Sequence, residues 1–544
     1  MTPTSAPNDI RGTAGAPRRA TSGDPGAARD HRCGGMETAD TRGDKGDTVN
    51  VSPETVLGVG SAIVLLSVVA VRASVRLGLP SLLLYLGIGV LLGESVLGFQ
   101  FSNAQLTESL GLAALVLILA EGGLTTRWSD VRPALTVGIS LSTVAVAVSI
   151  GVAATALHLL LGLDWRTAFL WGAVLSSTDA AAVFSVLRGV GVRRRLAGAL
   201  ELESGLNDAP VVIAVVLLAA PEPLQWWSPA LVVYELAVGG AVGAVLGFGG
   251  AWALRRAALP STGLYPLATL SVCILGYAAG QSLHASGFLA TYVAALILGN
   301  SQLPHRAGVL SFAEGTGWLA QIGLFVLLGL YASPSALIGA VIPALVAGLV
   351  LLLLARPLSI IVSMLPFRLS WREQAFLSWS GLRGAVPIVL ALIPLTRNPD
   401  SLAARQLVDV VLVLVVLLTL LQGTTLPWVA RLLGVSRAGE PTEIQVDAAP
   451  LEELSADLLQ VRVPVGSKLH GVYLRELRLP SGSSVSLVVR DGAGFTPIPE
   501  TRLQERDQLL VVTTAEVRSR AEQRIRAVDR AGRLARWRGE TGAR

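Results

Sequence analysis

Long apolar stretches separated by short loops fill the chain from residue 55 to residue 432. A helix that crosses a bilayer needs about 20 consecutive apolar residues. Several stretches approach that length, and none shows the strict alternation typical of a transmembrane β-barrel. The pattern predicts an all-α polytopic membrane domain with about 13 transmembrane helices. The predicted segments lie near 55–71, 79–97, 108–125, 134–161, 166–187, 197–220, 230–254, 264–283, 287–299, 312–331, 336–363, 374–396 and 406–430.

Polar sequence flanks this membrane domain on both sides. Residues 1–54 show no apolar periodicity, so we expect a disordered N-terminal tail, in which Met36 is a possible alternative start. Residues 433–455 are expected to form a linker. Short β-prone stretches separated by Gly, Pro and Ser predict a small soluble α+β domain over 456–515. The arginine-rich residues 516–544 predict a basic helical tail, either solvated or in contact with anionic lipid headgroups.

The composition agrees with a membrane protein. Charged residues make up 15% of the 544 residues and apolar residues 52%, whereas a soluble protein carries about 25% charged residues. The two cysteines, Cys33 and Cys273, exclude a disulfide framework and a structural zinc site. A net charge of +5 would suit nucleic acid, but the arginines lie where a membrane protein places them. We therefore expect lipid contact and no nucleic-acid partner.

Arginines are unevenly distributed among the loops. Alternate loops, starting after the first segment, carry 16 arginines, whereas the other loops carry 3, namely Arg166, Arg397 and Arg405. The larger set includes Arg356, which is assigned to the loop after the eleventh segment. Because arginine-rich loops remain in the cytoplasm, we expect an outside N-terminus and a cytoplasmic C-terminal domain.

The sixth segment carries four polar side chains on one face. At 100° per residue, Glu203, Ser204, Asn207 and Asp208 fall within one arc of the helix. Charged residues at membrane depth are costly and indicate a functional site. Oxygen ligands suit a hard cation, and a buried carboxylate also suits a proton. The alternative is a polar clamp between helices.

Two other segments carry polar groups where a helix is expected to break. Thr178 and Asp179 lie in the fifth segment, where Asp179 is either an ion ligand or a cap for the broken helix. In the twelfth segment, Arg383 stands between glycines and precedes Pro387, so the helix is expected to break there. A buried guanidinium needs an acidic partner, and Glu203 or Asp179 would serve.

These residues suggest an exchange mechanism. If Asp208 holds either a proton or a monovalent cation, but not both, one cation is exchanged for one proton without net charge movement. A second acid in place of Asn207 could make the exchange electrogenic. The fifth and twelfth segments are the natural discontinuous pair if segments 1–6 and 8–13 form inverted repeats around the seventh.

Two other classes of protein compete with an antiporter. A potassium channel needs a filter of backbone carbonyls, and the best match, Gly276–Gly280, lies inside an apolar segment. A membrane sensor would have no use for a carboxylate-rich arc at mid-membrane. The remaining acids near segment ends, Glu201 among them, are expected to be solvated or to cap helices.

Three motifs resemble the monovalent cation:proton antiporter-1 family and its NhaP-type potassium/proton branch. They are TDAAAVFSVLRG from Thr178, ESGLNDAPVV from Glu203 and GLRGAVPIVLAL from Gly381. The resemblance covers about residues 55–515. It implies a homodimer in the plasma membrane, elevator-like alternating access, no enzymatic activity and a role in potassium and pH homeostasis.

The resemblance also implies roles for individual residues. Asp208 would be the shared carboxylate, Asn207 would mark the electroneutral branch, and Arg383 would be the buried partner of an acid. Many sodium-type relatives have Pro where this chain has Ala180, which favours K⁺ and leaves Na⁺ as the alternative. The residues expected around the ion are Glu203, Ser204, Thr178 and Asp179, with the cation held at Asp208, Glu203 and Thr178.

The C-terminal domain resembles the TrkA-C half of regulators of potassium conductance. The matching stretches are VGSKLHGVYLRELRLPSG, SLVVRDG and TPIPETRLQERDQLLVV. The resemblance implies that this domain senses a small molecule or nucleotide, whose identity stays open. The nucleotide-binding half with its GxGxxG loop does not occur in this chain, and no cofactor is required for exchange.

Overall fold

The computed structural model describes much of the membrane domain and most of the C-terminal domain. The predictions for residues 1–52, for Ala180 and for the end of the basic tail lie outside the described residues. The described ranges are 53–77, 80–93, 103–179, 192–223, 225–435, 446–451, 456–514, 516–532 and residue 535.

Most described residues of the membrane domain form helices, as predicted. Its helices are α1 (Pro53–Leu77), α2 (Ser81–Leu92), α3 (Ala104–Thr125), α4 (Trp128–Leu161), α5 (Trp165–Ser176), α6 (Arg194–Leu206), α7 (Asp208–Ala219), α8 (Ser228–Arg256), α9 (Leu264–Ser282), α10 (Gly287–Asn300), α11 (Arg306–Tyr331), α12 (Pro334–Met364), α13 (Trp371–Trp379), α14 (Ala385–Arg397) and α15 (Leu402–Leu432).

Eight spans among the described residues are long and apolar enough to cross a membrane. One of them joins α6 and α7, because the backbone at Asn207 stays nearly helical. Shorter apolar helices occupy four further predicted segments, and α5 begins the remaining one. The predicted fold class, a polytopic all-α membrane domain with discontinuous helices, is confirmed.

Helices α4 and α12 carry matching irregularities. Each contains a π turn, at Leu141–Ala145 in α4 and at Leu351–Ala355 in α12. Both turns lie where the two helices pack against each other, as equivalent helices of an inverted repeat would. The second turn ends immediately before Arg356, in the interior of a spanning helix. The assignment of Arg356 to a loop is therefore wrong.

Two discontinuous helices cross in the middle of the membrane domain. Helix α5 ends at Ser176 and continues as extended chain to Asp179. In the twelfth segment, α13 and α14 are separated by residues 380–384. The Asp179 amide donates a hydrogen bond to the Leu382 carbonyl at 3.0 Å. We call the extended residues 177–179 and 380–384 the crossing.

The C-terminal domain is an antiparallel sheet with a helix. In the order β1-β2-β5-β3-β4, its five strands are β1 (Val446–Leu451), β2 (Ala456–Arg462), β3 (Ser483–Arg490), β4 (Ala493–Phe495) and β5 (Gln508–Thr514). A short helix α16 (Leu474–Leu477) precedes β3, and α17 (Arg518–Ala531) follows β5. This arrangement agrees with the predicted α+β class.

The compact C-terminal domain extends further in both directions than the sequence indicated. Strand β1 lies inside the predicted linker and pairs with β2. Helix α17 lies in the predicted basic tail, yet Ala521, Ile525 and Val528 are buried with the strand residues Leu459 and Val511. These three positions, four and three residues apart, form one face of the helix. The arginines around them hid this apolar face from a compositional analysis.

Candidate functional site

Asp208 lies at the centre of the candidate site. It is buried at the first residue of α7, and the Ser177 hydroxyl donates to its Oδ1 atom at 3.1 Å. Ser177 belongs to the crossing, so the breaking of α5 brings a hydroxyl to Asp208. Ser177 was not among the predicted site residues, although it directly precedes the predicted ligand Thr178.

Asn207 connects the same two elements by a second contact. Its Nδ2 group donates to the Thr178 hydroxyl, and both residues are buried. The Asn207 Oδ1 atom finds no hydrogen-bond partner among the described residues. An unpaired amide oxygen beside a carboxylate suits a cation that requires oxygen ligands. Ser204 is buried as well, in α6, three residues before Asn207.

Glu203 is paired with Arg356 of α12 and not with Arg383. The two side chains form a bidentate ion pair, in which Nη2 lies 2.9 Å from Oε2 and Nη1 contacts Oε1. The Arg356 and Glu203 side chains are 8% and 2% exposed. The Ser142 hydroxyl of α4 also contacts the Glu203 carbonyl at 3.3 Å. Glu203 is therefore fixed by a charge that the sequence analysis had placed in a loop.

Arg383 is buried, as predicted, but its guanidinium binds backbone carbonyls. Its Nη1 group donates to the Ser177 carbonyl at 2.7 Å and to the Ser176 carbonyl at 3.4 Å. These carbonyls have no hydrogen-bond partner within the helix, because α5 ends there. Thr419 of α15 in turn donates to the Arg383 carbonyl at 2.9 Å. Of the two acids expected to pair with Arg383, Glu203 or Asp179, Glu203 instead pairs with Arg356, and Arg383 caps the broken helix.

Two glycines make room for these charged groups. A Cβ atom on Gly384 would overlap the Asp179 carboxylate, and one on Gly381 would lie 2.7 Å from Arg356 Nε. Neither glycine has a positive φ, so space, not backbone conformation, requires glycine here. The predicted site residues Thr178, Asp179 and Asp208 thus meet at the crossing.

The donor set restricts the chemistry of the site. The described residues contain no cluster of three or more His, Cys, Asp or Glu side chains that could hold a metal ion. The groups at hand are carboxylate, hydroxyl and amide oxygens, which bind a proton or a hard monovalent cation.

Comparison with protein families agrees with this geometry. The model of the transmembrane sodium/hydrogen exchanger family matches residues 62–432. This chain belongs to the sodium/hydrogen exchanger family. The TrkA-C domain model matches residues 458–526, which include most of α17 as well as the sheet. Both resemblances stated from the sequence are confirmed.

Proteins similar to this chain are named either K⁺/H⁺ antiporters or Na⁺/H⁺ antiporters. The K⁺/H⁺ antiporter NhaP of Alkalimonas amylolytica is 36% identical over 470 residues, covering 84% of this chain and 81% of that protein. The K⁺/H⁺ antiporter NhaP2 of Shewanella baltica is 35% identical, with coverages of 84% and 80%. The Na⁺/H⁺ antiporter NhaS2 of a Synechocystis strain is 30% identical, covering 59% and 61%.

A solved structure shares the fold of this exchanger. The sodium proton antiporter MjNhaP1 from Methanocaldococcus jannaschii superposes with a TM-score of 0.62. The superposition covers 70% of this chain and 98% of MjNhaP1, at 21% sequence identity. At that identity the likeness shows the fold alone.

Proposed function

We propose that this protein is a secondary antiporter that exchanges one monovalent cation, preferably K⁺, for one proton. The observation that carries the proposal is the charge balance around the crossing. Three acids, Asp179, Glu203 and Asp208, face two arginines, Arg356 and Arg383, and all five side chains are buried. One negative charge is left over. Because an uncompensated buried charge is costly, the site favours one proton or one monovalent cation at a time.

In this mechanism Asp208 holds the cargo. Ser177, Thr178 and Asn207 supply neutral oxygens, so they contribute ligands without changing the charge count. Asp179, Glu203 and Ser204 complete the polar surroundings, and the Glu203 charge is offset by Arg356. The site is neutral when it holds a proton and equally neutral when it holds a monovalent cation. The exchange is therefore electroneutral.

The preference for K⁺ rests on the relatives. The proteins named K⁺/H⁺ antiporters match over 84% of the chain, whereas the Synechocystis Na⁺/H⁺ antiporter matches over 59%. The oxygen donors at the crossing do not by themselves select an ion. A sodium/proton antiporter is the alternative function.

We further propose that the protein is a homodimer in the plasma membrane, with its N-terminus outside and the TrkA-C domain in the cytoplasm. The arginine distribution supports this orientation. The few arginines that lie on the proposed outer side have a structural reason. Arg166, Arg397 and Arg405, on the proposed outer side, all donate to backbone carbonyls, at Leu218, Val216 and Pro399 among others. The TrkA-C domain would bind a regulator, either a small molecule or a nucleotide.

Proton flux in vesicles tests the proposed function. The purified chain is reconstituted with an imposed pH gradient, and K⁺, Na⁺, Rb⁺ or Li⁺ is added in turn. Dissipation by K⁺ and Rb⁺ supports K⁺/H⁺ exchange, and dissipation only by Na⁺ and Li⁺ supports the alternative. A cation current without a proton gradient would identify a channel instead. A rate that changes with membrane potential would contradict electroneutral exchange.

The Asp208→Asn variant tests the shared carboxylate. We expect exchange to be lost while the protein remains folded, because the amide neither ionises nor neutralises a cation. Asp409→Asn is a matched control, since Asp409 lies in α15 outside the crossing. Retained exchange in Asp208→Asn would rule out the assignment.

A further inference from the structure

A second polar cluster lies on the same helix face as Asp208. Glu201 precedes Asp208 by seven residues, roughly 10 Å along the helix. At 100° per residue, positions 201, 205 and 208 fall within an arc of about 60°. Position 205, between the two acids, is a glycine. We call Glu201, Thr126 and Tyr292 the Glu201 cluster.

Thr126 fixes the Glu201 carboxylate at the junction of α3 and α4. The Thr126 hydroxyl donates to Glu201 Oε1. Asn300, at the end of α10, holds this junction, because its Nδ2 group donates to the Thr126 carbonyl at 2.9 Å. Its Oδ1 atom accepts from the Trp128 amide at 2.8 Å. Glu201 is thus oriented by a side-chain hydrogen bond and is only partly exposed, whereas it was expected to be solvated or to cap a helix.

Tyr292 of α10 lies between the two acids. A Cβ atom on Gly205 would lie 2.5 Å from Tyr292 Cζ and 2.9 Å from its Oη atom, so only glycine admits the ring. Residues three and four apart on a helix have Cβ atoms about 5–6 Å apart. The Tyr292 hydroxyl therefore sits about one helical turn from both Glu201 and Asp208.

The Tyr292 hydroxyl is placed to exchange a proton with both Glu201 and Asp208. Tyr292 is 2% exposed, and its hydroxyl lies close to Thr126 but makes no hydrogen bond of good geometry with the described residues. Buried polar groups in folded proteins are usually paired, so this hydroxyl is available for a transient partner. A phenol is both a donor and an acceptor of hydrogen bonds.

We propose that Glu201 and the Tyr292 hydroxyl relay the proton between the α3–α4 side of the membrane and Asp208. The inference rests on the proposed cation/proton exchange. Glu201 takes up a proton and passes it to the phenol oxygen, which releases its own proton to the Asp208 carboxylate. The phenol is unchanged afterwards. A water bridges any gap longer than a hydrogen bond.

The surroundings of Glu201 are suited to proton entry. The groups that face it are the Thr126 hydroxyl from the junction of α3 and α4, Asp130 from the first turn of α4 and the Tyr292 hydroxyl from α10. Asp130 packs against the Glu201 helix, because a Cβ atom on Gly198 would lie 2.8 Å from its carbonyl oxygen. Its negative charge raises the local concentration of protons and cations.

The relay is tested in vesicles that contain the full chain. Glu201→Gln and Tyr292→Phe remove one proton carrier each. Glu235→Gln and Tyr277→Phe are matched controls, because they remove the same groups from α8 and α9. We expect each relay variant to lower the maximal exchange rate about tenfold or more, with little change in the KM for K⁺. Glu201→Gln should also shift the pH profile, whereas both controls should behave like the wild type.

The outcomes separate the relay from the exchange itself. Wild-type rates and pH profiles in both relay variants would overturn the relay, and so would a raised KM with an unchanged maximal rate. No exchange by the wild type would instead refute the proposed function. If Tyr292→Phe does not fold, Glu201→Asp provides the second variant. This shorter acid should restore the pH profile at least partly, and a profile identical to that of Glu201→Gln would contradict the relay.

Discussion

The Glu203–Arg356 ion pair offers a quantitative test of the site. Both side chains are buried and two N–H···O contacts join them. Removing one partner of a buried pair leaves an uncompensated charge and costs about 3–5 kcal/mol. We therefore expect Arg356→Met and Glu203→Gln each to lower the free energy of unfolding by about that amount.

The double variant should recover most of this loss. Replacing both members of a buried pair by neutral residues of similar volume is often neutral for stability. Because the two single losses sum to about 6–10 kcal/mol and the double variant should lose little, the coupling energy should be at least about 5 kcal/mol. The matched cycle combines Glu203→Gln with Arg383→Met. Since Arg383 donates to the Ser177 carbonyl, its coupling to Glu203 should be about 0.5 kcal/mol.

The assay is unfolding in mixed micelles by titration with SDS, followed by tryptophan fluorescence. The measured quantity is the free energy of unfolding of the wild type, the three single variants and the two double variants. Additive effects of Arg356→Met and Glu203→Gln would refute the ion pair. A larger coupling in the Arg383 cycle would show that Arg383 is the partner of Glu203.

Two further substitutions test the crossing and the TrkA-C domain. Gly384→Ala should raise the KM for the cation by about 5- to 100-fold, because overpacking against Asp179 costs about 1–3 kcal/mol. The control variant Gly323→Ala, whose added Cβ atom meets no atoms within 4 Å, should keep the wild-type KM. Equal KM values in the two variants would contradict the packing argument. Burial raises the pKa of the Asp529 carboxyl, although the Ser467 hydroxyl partly offsets this. A raised folded-state pKa means that the domain loses stability as the pH rises above the unfolded value of about 3.9. Asp529→Asn should remove this loss, measured as protease resistance of the TrkA-C domain in the intact protein between about pH 4 and pH 8; an unchanged pH dependence would assign it to another group.

Much of the architecture follows from local sequence. Apolar stretches of sufficient length form helices in lipid because every backbone polar group must be paired within the membrane. Glycine and proline around Arg383 predicted the break between α13 and α14 correctly, since these residues weaken a helix wherever they occur. The face shared by Glu203 and Asp208 also followed from helical periodicity alone.

Tertiary packing decided which charges meet. Glu203 and Arg356 are 153 residues apart, and no local pattern distinguishes Arg356 from Arg383 as the partner. The position of Arg356 within the eleventh apolar segment was an available signal, but the following proline made it resemble a loop. Similarly, the arginines of α17 concealed the apolar face that packs against the sheet of the TrkA-C domain.

The sequence by itself determined that this chain spans a membrane, that its helices break at two points, and that acids lie at mid-membrane. Only the tertiary structure decided that Arg356 neutralises Glu203, that Arg383 caps α5, and that Tyr292 rests on Gly205 between two acids. The physical reason is range. Hydropathy and backbone propensity act within a few residues of the chain, whereas ion pairing and steric fit depend on distances that exist only after the helices have packed.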